Sequence, residues 1–284
     1  MTIQAQPLTQ HHDLEDPVHE DDRPRTLVQT MTAPLSAFGQ DMYGLWTLLR
    51  QTVQAILQGR VDRESTFAQL YSIGNGSVLF ITVTMIVLGM ILVVQAGMQT
   101  QRVLPELSLL GANIIQLLAR EFAPTVCAMM LATRVGAGIA AEIGSMVVTD
   151  QVDALRMSGA QPVDYLVVPR LIAGVLMTLA LSFWSLFIAL MAGTFAANTQ
   201  FDLNISTFVN FSFVNMGDYI VMTLKAIAYG AAIPIVSSQR GLTTFGGSEG
   251  VGWATTNAVV HSSIAIILLD LILSVFGYIA FPPV

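Results

Sequence analysis

Three ionisable side chains lie within stretches that are otherwise apolar, namely Glu121, Lys225 and Asp270. A charge inside an apolar helix is costly, so such residues usually face a cavity or one another. Two kinds of chemistry fit this set. The lysine and the carboxylates can form a salt-bridged clamp between helices, or the lysine can bind an anion such as a phosphate while the carboxylates tune its position. At about 1.5 Å of rise per residue, the three side chains are expected at depths in their helices that place them within reach of one another.

The composition indicates that the elements carrying these residues cross a membrane. Of 284 residues, 54% are hydrophobic and only 11% are charged, whereas roughly a quarter are charged in soluble domains. The formal net charge of -7 comes mostly from the N-terminal tail. Because the rest of the chain is close to neutral, the sequence gives no indication of a nucleic-acid-binding surface.

Charge-poor segments of about 20 residues are long enough to cross the hydrocarbon core as helices. The fold class predicted is therefore an all-α integral membrane protein with five transmembrane helices. Their apolar parts are about 73–96, 119–141, 168–196, 218–237 and 256–280. Segment 103–118 is apolar but short, so we expect an interfacial or re-entrant helix there, with a sixth span less favoured.

Two segments precede the first span. Residues 1–33 are acidic and polar, and we predict a disordered tail because they hold too little apolar surface to fold. The tail lacks the basic start of a secretory signal. Residues 34–60 place apolar side chains at helical spacing, which predicts an amphipathic helix along the membrane surface. The alternative is an ordinary helix packed against a soluble partner.

Arginines in short loops favour one orientation of the five spans. With the N-terminus cytoplasmic and the C-terminus periplasmic, the outer loops keep only Arg102 and Arg120. The inner side then holds Arg50, Arg60, Arg63, Arg156, Arg170 and Arg240.

A polar stretch, 142–162, separates the second and third spans and lies on the cytoplasmic side in this orientation. We predict a short helix at about 146–159, capped by Thr149 or Asp150 and ended by Gly159. Its apolar face comprises Val148, Val152 and Leu155. Two interpretations remain open: a lid packed on its own spans, or a docking element for a cytoplasmic partner.

Two smaller features concern the spans themselves. Gly136 and Gly138 are expected to let helices approach closely. Met90 and Val94 are candidate contacts for acyl chains, although an ordinary packing face explains them equally well.

Two long blocks of the sequence resemble one family. The stretch REFAPTVCAMMLATRVGAGIAAEIGSMVVTDQVDALRMSGAQPVDYLVVPR (120–170) is similar to the signature region of the MlaE/YrbE permeases. These are membrane subunits of ABC transporters that work with MCE proteins. The stretch GGSEGVGWATTNAVVHSSIAIILLD (246–270) resembles the second block of that family. The resemblance defines a permease domain at 34–284.

The resemblance implies a phospholipid transporter in a bacterial inner membrane. Two copies of the permease would form the core, two ATPase subunits would bind beneath, and a hexameric MCE protein would lie on the periplasmic side. The short helix would be the coupling helix, with Val152 and Leu155 inserted into the ATPase and a polar rim around them. That rim and its N-terminal flank comprise Thr149, Asp150, Asp153 and Arg156. Glu121, Lys225 and Asp270, with Met90 and Val94, would line the lipid path.

The chain itself carries no sequence signal for catalysis. The glycine-rich stretch 246–252 lacks the lysine of a phosphate-binding loop, so ATP and magnesium are expected on a partner subunit and no cofactor or metal on this chain. Outside the tail the single histidine, His261, stands beside Ser262 with no carboxylate until Asp270, which argues against an enzyme. A secondary carrier or channel is the alternative function, but no inverted repeat is evident.

Overall fold

The computed structural model describes residues 27–103 and 110–282, and within these ranges the chain is helical without strands. Most of the predicted acidic tail, residues 1–26, lies outside the described residues. Residues 27–33, however, begin the first helix, Leu27–Leu57, rather than ending the tail.

Five of the helices are long and apolar enough to cross a membrane. Their bounds are Arg63–Val103 (span one), Leu110–Val148 (span two), Val163–Phe201 (span three), Met216–Leu242 (span four) and Gly247–Ala280 (span five). The prediction of an all-α membrane protein with five spans is confirmed. Each helix is longer than its predicted apolar part, because polar turns continue the helix beyond the segment that hydropathy detects.

Span two departs from the sequence-based expectation at its start. Residues 110–118 were expected to form a separate interfacial or re-entrant helix, but they are the first turns of span two. A Cβ atom on Gly111 would lie 1.8 Å from the carbonyl oxygen of Phe208, so this part of the helix is packed tightly under the one-turn helix Ile205–Phe208. Leu110, Ile114 and Ile115 are buried with it, and this packing continues the span.

Span two also contains two π-helical turns, Leu118–Phe122 and Ala132–Gly136, and a third begins span three at Val163–Val167. A π turn adds one residue to the helical repeat and often marks a functional position. The first two turns contain the arginines Arg120 and Arg134.

Span four is the central helix of the bundle, and span five is peripheral. The most apolar window of span four is 61% buried, against 11% for span five. Spans three and four touch through glycines: a Cβ on Gly174 would lie 2.8 Å from the oxygen of Gly230. Span one packs on span three where Gly89 meets the backbone of Ala189. Small residues therefore set the distances between neighbouring helices, as expected in a membrane.

One compact unit of the chain contains all five spans, and it begins at Gly44, within the first helix. From there to Leu57 the helix packs one face on the spans, where Leu48 joins a buried cluster with Ile143, Leu171 and Ile235. The opposite face exposes Trp46, Val53 and Leu57. This two-sided apolar surface fits a helix at a membrane interface better than one packed on a soluble partner.

We expect Gly230→Val to destabilise the bundle by about 2 kcal/mol or more, because the added atoms overlap the backbone of span three. Thermal unfolding of the purified protein in detergent would measure the change. Gly252→Val is the matched control, since a Cβ at Gly252 has no atom within 4 Å. Equal unfolding temperatures for the two variants would contradict the close contact of spans three and four.

Candidate functional site

Spans two and four meet through charged residues of opposite sign. Arg120 and Glu121 are adjacent within the first π turn of span two. Asp218 and Lys225 are seven residues apart on span four, so they share one face and are separated by about 10 Å of helical rise. The arginine pairs with the aspartate, and the glutamate pairs with the lysine.

The structure brings Glu121, Lys225 and Asp270 together, one from each of three spans. The ammonium nitrogen of Lys225 lies 2.5 Å from Oε2 of Glu121 and 2.8 Å from Oδ1 of Asp270. It also donates to Oγ of Ser274 at 2.7 Å. An ammonium group has three N–H donors, so these contacts use all of them. We call this group of three charged residues the triad.

The carboxylates of the triad are held by neighbouring hydroxyl groups. Oδ1 of Asp270 also accepts hydrogen bonds from Tyr229 at 2.6 Å and from Thr125 at 3.1 Å. Ser274 donates to Glu121 at 3.1 Å. The Lys225 side chain is 0% exposed, whereas those of Glu121 and Asp270 are 32% and 26% exposed. In this conformation the triad is a clamp, and only its carboxylates are accessible.

A second buried ion pair lies closer to the ends of spans two, four and five. Nη1 of Arg120 lies 3.0 Å from Oδ1 of Asp218, and Nη2 donates to the carbonyl oxygen of Phe281 at 3.0 Å. Asp218 also accepts from the backbone N–H of Asn215 and closes the capping box of span four. The sequence analysis placed Arg120 among the loop charges, and the structure corrects this. The sequence feature that could have predicted this pair is Asp218, an acidic residue in the first turn of span four.

Met90 and Val94 are partly buried and pack against the main hydrophobic core. Both lie on span one, which packs chiefly along span three, whereas the triad lies between spans two, four and five. Their neighbour Val93 is fully buried. It packs against Gly193 of span three, where an added Cβ would lie 2.8 Å from the Val93 side chain. Met90 and Val94 therefore contribute to a packing face of span one, and no contact of either with the triad is among those described.

The two predicted packing glycines have different surroundings. A Cβ on Gly136 would lie 3.0 Å from Oγ of Ser237, so span two approaches span four closely there. A Cβ on Gly138 would meet no atom within 4 Å. Gly138 instead borders an open cavity between spans one and two. It provides space at that position rather than a close contact between helices.

The short helix between spans two and three is Gln151–Met157, shorter than the predicted 146–159 because span two continues to Val148. Asp150 occupies the N-cap position with a left-handed backbone (φ 59°) and makes no side-chain cap. Thr149 does not cap the helix either, since its hydroxyl bonds back to the carbonyl oxygen of Ser145 at 2.8 Å. At the other end Gly159 has φ 81°, and the bond from Ala160 N–H to the Leu155 oxygen completes a Schellman motif.

The faces of this short helix differ from the predicted docking arrangement. Val152 is 3% exposed, and Leu155 packs beside it in the cluster formed with Leu48, Ile143 and Leu171. Both residues therefore attach the helix to its own spans, and Val152 is too deeply buried to insert into a partner. The exposed face comprises Gln151, Asp153, Ala154, Arg156 and Met157. Met157 is 84% exposed, and Asp153 and Arg156 form an ion pair at 2.9 Å.

The one described hydrogen bond of the His261 side chain lies within its own helix. Its Nδ1 lies 2.8 Å from the carbonyl oxygen of Asn257, one turn earlier in span five. Within residues 27–103 and 110–282 no group of three or more His, Cys, Asp or Glu side chains is arranged to hold a metal ion.

The sequence profile of the MlaE permease family ("Permease MlaE") matches residues 66–276. This range includes spans two, three and four, all but the ends of spans one and five, the triad and the short helix. The chain belongs to the MlaE permease family. Among its relatives is a probable ABC transporter permease protein of Synechocystis, 36% identical over 242 residues, or 84% of this chain and 92% of the relative.

Two further relatives cover most of the permease. The chloroplast protein TRIGALACTOSYLDIACYLGLYCEROL 1 of Arabidopsis thaliana is 31% identical over 80% of this chain and 65% of its own length. A probable ABC transporter permease protein of Rickettsia bellii is 36% identical over 72% of this chain and 80% of its own length. The permease is therefore a multi-pass membrane protein of a family that includes proteins named probable ABC transporter permeases.

Removal of the triad lysine alone should destabilise the permease more than removal of the whole triad. Lys225→Met leaves two carboxylates facing each other, and the loss of one partner of a buried ion pair costs about 3–5 kcal/mol. The triple variant Lys225→Met, Glu121→Gln, Asp270→Asn should recover most of that loss. Thermal unfolding in detergent would compare them, and a triple variant no more stable than the single one would contradict the clamp.

Proposed function

We propose that this chain is the membrane subunit of an ATP-driven phospholipid transporter and works with a separate ATPase. The observation that carries the proposal is the short helix Gln151–Met157, which is anchored by an apolar face and exposes a polar one. A helix that transmits movement from an ATPase to the spans needs both a rigid attachment to the spans and an exposed surface that the ATPase can bind. Val152 and Leu155 provide the attachment. The exposed surface with Met157 provides the site for the ATPase.

The attachment reaches both neighbouring spans and the first helix. Val152 shares one buried cluster with Ile143 of span two, Leu171 of span three and Leu48 of the first helix. Because protein interiors are closely packed, displacement of the short helix displaces these neighbours with it. ATPase closure would therefore move spans two and three together. Thr149, Asp150, Asp153 and Arg156 belong to the exposed polar surface of this contact.

The triad supports a role in the lipid path through its accessible carboxylates. In the described conformation Lys225 has no donor left for a phosphate. A lipid phosphate would therefore have to displace Glu121 or Asp270 from the lysine. We propose that this exchange accompanies transport, and that the clamp re-forms when the lipid leaves. The glycolipid in the name of the Arabidopsis relative agrees with a lipid as the transported molecule.

The remaining partners follow from the surfaces that the chain leaves uncovered. Span five exposes Ile264, Ile267, Leu268 and Leu271 along its length. A second copy of the permease and membrane lipid are proposed to cover this surface. The short-helix end is proposed to be cytoplasmic, because it holds most of the loop arginines. The opposite end would then face the periplasm of a bacterial inner membrane and a hexameric MCE protein.

A secondary carrier or channel for an amphipathic solute is the second candidate, because charged residues in spans also suit ion coupling. Purification separates the two functions. The permease of an ATP-driven transporter should copurify with an ATPase and an MCE protein. Mass spectrometry of its bound lipids should show phospholipids whose amount changes when ATP is added. Purification of the chain alone, with ATP-independent transport in vesicles, would overturn the proposal.

Substitutions on the two faces of the short helix should have different effects. Met157→Asp places a charge on the exposed surface, and we expect at least a tenfold loss of ATPase binding with unchanged thermal stability. Val152→Ala removes buried atoms and should lower stability by about 1–3 kcal/mol. Pull-down with the ATPase and thermal unfolding would give the two measurements. Ser158→Asp, also exposed but beyond the helix end, is the control for added charge.

A further inference from the structure

A polar cavity of about 230 Å³ lies between spans one and two, away from the triad. Its polar lining includes Gln69 and Ser72 from span one and Arg134 and Glu142 from span two. Gly138 borders it, and the lack of a side chain there leaves the space open. The volume exceeds that of several water molecules, which occupy about 30 Å³ each in the liquid. The cavity is therefore large enough for a phosphate group.

Arg134 is held in place at this cavity by span one. Its Nη1 donates to Oγ of Ser77 at 2.7 Å. A Cβ on Gly76 would lie 1.9 Å from Nη2, so the guanidinium lies directly against the backbone where a glycine permits it. The planar group has five N–H donors, and the bond to Ser77 uses one of them. A guanidinium in a fixed orientation is well suited to bind a phosphate through two parallel hydrogen bonds.

The charges around the cavity favour an anion. Glu142 lies 2.8 Å from Nη2 of Arg170, a buried arginine whose Nη1 donates to the carbonyl oxygen of Leu166. Arg170 therefore compensates the charge of Glu142. The charge of Arg134 is left in excess, with Gln69 and Ser72 as neutral hydrogen-bonding groups beside it.

The polar residues that span one contributes to the cavity share a helix face with exposed apolar residues. Gln69, Ser72, Gly76, Phe80 and Val83 recur at helical spacing and lie on one face. Phe80 and Val83 are exposed apolar residues. The helix rises about 16 Å from Ser72 to Val83, which is roughly half of the hydrocarbon core. An acyl chain of one leaflet can therefore extend along this face when its headgroup occupies the cavity.

We propose that this cavity binds the phosphodiester headgroup of a phospholipid from the leaflet at the short-helix end. Arg134 binds the phosphate, Gln69 and Ser72 bind polar groups beside it, and the acyl chain packs on Phe80 and Val83. The assignment of this leaflet as cytoplasmic rests on the proposed orientation of the permease, whereas the binding does not. This site is separate from the triad and would hold a lipid whether or not transport occurs.

Photo-cross-linking with full-length permease in lipid nanodiscs tests the site. The probes are phosphatidylethanolamine and diacylglycerol, each with a diazirine in the acyl chain, and peptide mass spectrometry maps the attachment. The readout is cross-linking at Phe80 and Val83 relative to that at Met191 and Phe195, two exposed apolar residues of span three. We expect this ratio to be about tenfold higher for phosphatidylethanolamine than for diacylglycerol. Equal ratios for the two probes would overturn the proposal.

Two variants should abolish the difference between the probes by different routes. Arg134→Gln removes the charge, and Gly138→Leu fills the cavity while every charge remains. Gly138→Leu should fold, because the added Cβ meets no atom within 4 Å. Arg63→Gln, an exposed arginine near the same end of span one, and Gly39→Leu, whose Cβ is also free of contacts, are the matched controls. The proposal would be overturned if a control variant lost the difference between the probes, or if either test variant kept it.

Two further arms separate this site from other binding. Excess inorganic phosphate should leave the ratio unchanged. A fall of the ratio to that of diacylglycerol would identify a site for free anions and would overturn the proposal. The triple variant Lys225→Met, Glu121→Gln, Asp270→Asn, which should keep most of the stability, should abolish transport under the proposed function but leave this ratio unchanged. A fall with the triple variant as large as that with Arg134→Gln would show that the probe reports the triad, and would overturn the second site.

Discussion

A single buried ammonium group determines how three of the five spans fit together. Lys225 lies at the centre of the bundle without exposure to solvent, and its charge must be compensated within the protein. Glu121 of span two and Asp270 of span five supply that compensation. Since the carboxylates come from different helices, neither helix can shift without breaking a contact to the lysine. Arg120 and Asp218 repeat the same linkage nearer the helix ends.

This constraint connects the two ends of the permease through span two. Span two is 39 residues long, carries Glu121 in its first π turn and ends at Val148, separated from the short helix by two residues. The short helix is packed on span two and on span three by Val152 and Leu155. A force applied to its exposed face therefore acts on the helix that supplies one carboxylate of the triad. The π turn Leu118–Phe122 contains Glu121 itself, and the π turn Ala132–Gly136 lies between Glu121 and the short helix. Such turns often mark functional positions in a helix.

Polar residues within the membrane occupy two separate places in this bundle. In the triad the ammonium is enclosed and uses all three of its donors, whereas Arg134 lies at an open cavity beside Gly138. The difference is physical: the ammonium of Lys225 has both carboxylates as partners, while the charge of Arg134 has a neutral hydroxyl as its described partner. An enclosed ion pair stabilises the arrangement of helices, and an uncompensated cation at the lipid boundary attracts an anionic group. One class of residue thus serves two purposes, according to what surrounds it.

The sequence by itself determined the number of spans, the all-α class, the position of the short helix and its glycine end, because hydropathy and local backbone preferences act over neighbouring residues. It also indicated that Glu121, Lys225 and Asp270 were close in depth. Only the tertiary structure decided which faces meet. Val152 and Leu155 point to their own spans, Arg120 is buried against Asp218, Gly138 borders a cavity, and residues 110–118 extend span two. These outcomes depend on the rotation of each helix about its axis, which π turns and contacts between distant residues set, and a local pattern does not encode that rotation.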